Sequence, residues 1–297
     1  MKADPTFVFA CALPTRFPHP KAVAVDDAGG VYAGSSGWAG GLEKFQRTSG
    51  QPSTFASAWS VEAGRVRGIA LLPDGTVCVS LRLTTGCDIH RYGPDGSRMA
   101  AWAPGSRGLR NPAGVATDPE GLVYVAETKA WDGRPDASYD RVQKLTAGGR
   151  FLAAWGESGS GDGQFNLPVG IAVGPDGVVY VADTYNSRIQ AFSPAGAFLR
   201  KWGAFGHMGG EFNCPQGIAV SPDGRVYVAD TCNNRIQVFQ PDGTLEAAWG
   251  QRGSGQGEFW LPCGIAVDGR GKVYVADTMN SRVQVFQQAP REACRER

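Results

Sequence analysis

Gly217-Ile-Ala-Val-Ser-Pro-Asp-Gly-Arg-Val-Tyr-Val-Ala-Asp-Thr-Cys-Asn-Asn-Arg-Ile-Gln-Val-Phe239 is the stretch from which the fold can be read. Its apolar residues run in short blocks cut by turn chemistry, with no helical spacing. Gly217–Val220 reads as a first strand, and Pro222-Asp223-Gly224 as a tight turn whose Gly takes a positive φ. Arg225–Asp230 and Ile236–Gln240 read as second and third strands. After Pro241-Asp242-Gly243, Thr244–Trp249 supplies a fourth, outer strand bearing a large aromatic.

Working outward, the same pattern returns at 170–192 and 264–286, and more loosely ahead of them. Anchoring each copy on the residue before its Ile/Val-Ala or equivalent gives Ala22, Gly68, Gly114, Gly170, Gly217 and Gly264, spaced 46, 46, 56, 47 and 47 residues. Four strands in about 40–50 residues is the signature of a propeller blade. The expected fold is therefore an all-β, six-bladed β-propeller of four-stranded antiparallel blades. It forms one domain over residues 1–290, with a charged tail at 291–297. Outer-strand tryptophans recur as Trp59, Trp102, Trp155, Trp202 and Trp249, five for six blades. The sixth copy lacks its outer strand, and Thr6–Ala10 is placed to supply it, with Phe9 as the missing aromatic. Such closure removes two unpaired sheet edges.

The chain resembles the NHL-repeat proteins. Val-Ala-Asp-Thr-x-Asn-x-Arg-Ile/Val-Gln stands almost unaltered at 181–190, 228–237 and 275–284, and the resemblance extends over nearly the whole chain. It implies the same six-bladed propeller but little about activity, since RNA- and protein-binding modules, sensors, an amidating lyase and lactonase-like hydrolases share it. The lyase's three zinc-binding His positions fall here on mouth residues, none of them His, and the calcium-holding acids of the lactonase relatives have no unpaired counterpart in the ring. No cofactor is implied. The Gly-rich runs at 159–163, 203–210 and 250–257 lead into strands, whereas a phosphate-binding loop leads into a helix.

Comparison among the blades separates packing from function. The second strands end on Ser35, Leu81, Glu127, Asp183, Asp230 and Asp277, and the third begin on Gly41, Asp88, Arg141, Arg188, Arg235 and Arg282. Acid and Arg occur together in blades three to six and are lost together in blades one and two, so they are structural partners, with Asn186, Asn233 and Asn280 as turn caps.

Functional residues are expected where blades one to three depart from the pattern, on the face where second-to-third-strand loops and inter-blade links open. The positions preceding the anchors, Lys21, Arg67, Ala113, Val169, Gln216 and Cys263, should ring the channel mouth. With Trp38, Arg82, Arg110, Lys129, Trp131 and Tyr139 they make a basic, aromatic sector suited to an anionic ligand, a peptide or unpaired nucleotides. Cys214, Cys232 and Cys263 also gather on this face. They read as small apolar fillers, with a soft-metal site or a nucleophilic Cys263 aided by Lys21 as the sharper possibility.

The primary expectation is a non-catalytic recognition scaffold binding a protein, peptide or small anionic ligand, leaning against enzymatic activity. A lactonase- or lyase-type enzyme at the channel mouth, with or without a metal, is the alternative, and single-stranded RNA binding a second. A net charge of +1 argues against double-stranded DNA, and no stretch approaches a membrane span. An odd count of seven cysteines without a C-x-x-C pair, and an N-terminus unlike a signal peptide, point to the cytoplasm.

Overall fold

A computed structural model describes residues 7–37, 40–48, 54–83, 86–99, 102, 109–129 and 139–288. The strands form six sheets arranged as blades around a central channel, each running antiparallel from an inner to an outer strand. Blade five contains Pro215–Val220, Val226–Asp230, Arg235–Phe239 and Leu245–Trp249, within two residues of the sequence reading. Blade two has three strands, Arg65–Leu71, Val77–Leu83 and Gly86–Tyr92; among the described residues its outer strand is reduced to a bridge between Tyr92 and Arg98. Three short 3-10 turns, Thr184–Asn186, Thr231–Asn233 and Thr278–Asn280, are the helical elements described. No helix among the described residues is long and apolar enough to cross a membrane.

Phe7–Pro14 pairs antiparallel with Arg282–Gln288 and closes the ring as the outer strand of blade six. The aromatic equivalence shifts, however. Trp202 and Trp249 stand opposite Ile189 and Ile236, whereas the corresponding Val283 faces Leu13 rather than Phe9. Leu13 is 2% exposed and occupies the tryptophan's place in the core. Phe9 packs instead edge-on to Phe286, and Phe7 stacks on Trp249 at 4.4 Å between ring centroids. The distance from outer strand to next anchor varies between blades, so aromatic spacing alone misplaced this residue.

The core lies between blades. Second strands such as Val179–Asp183 are buried on both faces because each blade is covered by its two neighbours, which explains a continuous apolar run where a one-sided sheet would alternate. Outer-strand Trp202 meets Tyr180 of its own blade and Phe239 of the next at 6.1 and 5.8 Å, and Phe212 from the inter-blade link completes the cluster. At the axis the inner strands nearly touch. A Cβ on Gly170 would lie 2.0 Å from the Gln216 carbonyl oxygen, and one on Gly217 2.0 Å from that of Cys263. The anchor glycines are required for this backbone approach.

Candidate functional site

The turns after the second strands and the links before the inner strands share one face. Tyr185, Cys232 and Met279 each donate a backbone N–H to Asn166, Asn213 and Trp260 in the link of their own blade, at 3.0–3.1 Å. Below them sit the repeated acids, sealed in: Asp183, Asp230 and Asp277 are 0% exposed. Asp183 accepts from Arg188 at 2.7 Å, Asn186 at 2.9 Å, Gln190 at 3.1 Å and the Asn166 backbone at 2.7 Å. Burial pushes the Asp183 and Asp230 carboxyls up, against the pull of these donors. A raised carboxyl in a cleft would suggest catalysis, but no substrate can touch an oxygen enclosed in this way. Each acid is a structural staple. The Asn side chains do not cap their own turns; Asn186 ties Asp183 to the Gly159 carbonyl in the link, and Asn233 ties Asp230 to Gly206.

The channel is lined in rings. Lys21, Arg67, Val169, Gln216 and Cys263 face its upper mouth, the anchor residues follow, and Val23, Ile69, Val115, Ile171, Ile218 and Ile265 form an apolar waist. The upper cavity is about 70 Å³, room for a carboxylate-sized group rather than a whole substrate. The opposite end, about 260 Å³, is walled mainly by Val25, Leu71, Val173, Val220 and Val267. Among the described residues the charged side chains of the channel therefore gather at one mouth, the other end carrying Thr117 among apolar side chains. Arg67 donates to the Asn111 side chain at 2.7 Å and the Pro112 carbonyl at 3.2 Å, which fixes its guanidinium across blades two and three. The Gln216 Oε1 is buried and has no hydrogen-bond partner among the described residues, an acceptor waiting for a donor. Cys263 is 7% exposed and its thiol donates to the Leu261 carbonyl at 3.5 Å.

The other expected site residues that are described do not join this mouth. Arg110 lies 4.1 Å over the Tyr139 ring, with Arg141 at 5.3 Å, a separate cluster on blade three. Lys129 donates to Asn166 of the next link at 3.0 Å. Arg82 is exposed at the outer end of its strand, paired in register with Arg65. Trp38 and Trp131 lie outside the described residues. The surface expected over blades one to three thus divides, and its two mouth cations face Gln216 and Cys263 of blades five and six.

The structure adds one residue and one contact to those expected. His19, not among the expected site residues, directly precedes the inner strand carrying Lys21, and its buried Nδ1 has no partner among the described residues. Cys214 and Cys232 prove to be neighbours: burial first, then the Cys214 thiol, pushes Cys232 up to about 11. Cys78, in contrast, is core filler, pushed up to about 12 by burial. Among the described residues no three His, Cys, Asp or Glu are placed to hold a metal ion. A mouth built from Lys21, Arg67, an amide and a thiol does not fit a hard divalent cation, which takes oxygen ligands.

A family model for the NHL repeat matches residues 165–192, 212–239 and 259–286. Among solved structures, the chain resembles a gluconolactonase of Xanthomonas campestris at TM-score 0.69 and 14% identity, covering 95% of this chain and 89% of that one. It also resembles a catalytically inactive histidine variant of virginiamycin B lyase from Staphylococcus aureus, bound to quinupristin, at TM-score 0.60 and 15% identity over 96% and 88%. A chain of a nidogen/laminin complex matches at TM-score 0.59 and 15% identity over 82% and 83%. A sequence comparison with curated proteins returns no match. These likenesses correct the expected non-catalytic scaffold, its protein-interaction role and the leaning against an enzyme. A lactonase and a lyase share nearly the whole ring, and the basic sector that supported the scaffold reading is split between the channel and blade three.

Proposed function

With the chain an NHL-repeat six-bladed β-propeller, we propose that it is an enzyme of the lactonase or lyase type whose reaction takes place at the polar mouth of the channel. One observation carries the reading: Lys21, Arg67, Gln216 and Cys263 come from four blades to a single narrow opening that no acid lines among the described residues. The likeness in fold to a gluconolactonase and a lyase supports it. Opening a lactone and eliminating beside a carbonyl both place negative charge on a carbonyl oxygen. Lys21 and Arg67 would stabilise that oxygen, and Arg67 arrives already oriented by Asn111. Gln216 Oε1 would accept from a substrate hydroxyl or amide and set its angle. Cys263 is the nucleophile available at the mouth it shares with Lys21. A reducing, cytoplasmic setting goes with this reading, on the odd count of seven cysteines without a C-x-x-C pair.

The test is turnover of a panel of aliphatic lactones and of elimination substrates by the purified chain. Arg67→Met is expected to lower kcat by about 10²–10³, the loss typical of removing one oxyanion-stabilising group. Lys21→Met is expected to act in the same direction, with both variants melting near the wild type. Absence of turnover across the panel, or variants as active as the wild type, overturns the proposal.

A further inference from the structure

Blade five places two thiols where its neighbours place apolar side chains. In blades four to six the residue before the inner-strand proline adopts left-handed backbone, with φ of 58° at Leu167, 51° at Cys214 and 51° at Leu261. In all three blades the middle residue of the 3-10 turn donates its N–H to the residue just ahead of that position. On this shared frame blade four carries Leu167 with Tyr185, and blade six Leu261 with Met279. Blade five carries Cys214 with Cys232, both members changed together. A filler cysteine would need only one of them.

The frame is held on a second side, because Asn213 N–H donates to Asp230 at 2.8 Å and Pro215 pairs with Asp230 in the sheet. We infer that Cys214 and Cys232 form an oxidisable dithiol that closes to an intramolecular disulfide when a hydroperoxide reaches the loop-bearing face. A disulfide needs Cα atoms roughly 4.4–6.8 Å apart. The single backbone hydrogen bond of 3.0 Å between Cys232 and the residue preceding Cys214 fits that requirement. Cys232 is exposed, so the reagent has access.

One thiolate attacks the hydroperoxide O–O bond, becoming a sulfenic acid as the alcohol leaves. The second thiolate then displaces the sulfenic hydroxyl, which departs as water. Two thiols and one hydroperoxide yield a disulfide, an alcohol and water, the peroxide taking up two electrons. Because burial and the neighbouring thiol keep Cys232 protonated, closure accelerates as pH rises. Cys214 stands two residues ahead of Gln216, so the link would fix the blade-five wall of the mouth.

The test treats the whole chain with tert-butyl hydroperoxide, alkylates the remaining thiols and maps peptides without reduction. Wild type and Cys263→Ser are expected to lose two alkylatable thiols, give one cross-linked Cys214–Cys232 peptide pair, and recover both thiols with dithiothreitol. Cys214→Ser and Cys232→Ser are expected to stop at a singly oxidised cysteine. Retention of both alkylated thiols in the wild type, or cross-links to Cys263 or between chains instead, overturns the inference. None of these readouts depends on turnover, so the dithiol and the proposed enzyme stand or fall separately.

Discussion

At the residue scale, His90 shows what one substitution does to a repeated slot. Blades three to six hold Gln143, Gln190, Gln237 and Gln284 there, bonded to the acid of the preceding strand. In blade two the slot holds an imidazole 3.6 Å from Asp88 and 3.4 Å from Arg98. Burial first, then Arg98, holds the His90 imidazole below its ordinary range despite Asp88. The fold thus prefers the neutral ring, and the unfolded chain takes up a proton first as pH falls. Stability is therefore retained above about pH 6.5 and lost progressively below it. His90→Gln is expected to flatten that slope, seen by urea unfolding at about pH 7.5 and 5.5; an unchanged slope would place the titration elsewhere. The same slot in blade one shows what the sequence concealed. There the acid has moved one strand over to Glu43, 3% exposed, accepting from the Arg16 backbone at 2.9 Å. Comparison of matching columns sees only that Ser35 is not an acid.

At the element scale, the acid–arginine staples join each 3-10 turn to its inter-blade link. Arg235 donates to Asp230 at 2.7 Å and reaches the carbonyls of His207, Met208 and Glu211 at 2.7–2.9 Å. Arg235→Met leaves Asp230 buried without its guanidinium and frees the whole link. The expected loss is about 3–5 kcal/mol in urea unfolding; a change under about 1 kcal/mol, the scale of an exposed pair, would show that the remaining donors suffice. The staples were legible because acid and arginine vanish together from blades one and two. The Cys214–Cys232 contact was less so. It depends on a left-handed residue and a turn meeting across the blade, and the sequence separates the two thiols by seventeen residues, showing only that both lie on one face.

At the scale of the whole molecule, repeat length and turn chemistry carried the architecture, including closure by the leading strand. The site was only half visible: position before the anchor identified the mouth, but loop irregularity drew attention to blades one to three, and the mouth takes residues from both sides of the ring. Removing residues 7–14 is expected to destabilise the protein by roughly 1.5–3 kcal/mol for buried Leu13 and by less for each of the half-buried Phe7 and Phe9, and to expose Arg282–Gln288 as an edge prone to association. Thermal melting and light scattering check this; a monodisperse protein with an unaltered melt would show that closure contributes little. The Phe7–Gln288 register also orders events in time. The strand made ahead of the first repeat must wait for the last repeat before it finds its partner, so five blades can stack during translation while the clasp forms only after the sixth has been made. Throughout that interval the nascent chain carries both open edges, and the span between them is the longest the ring contains.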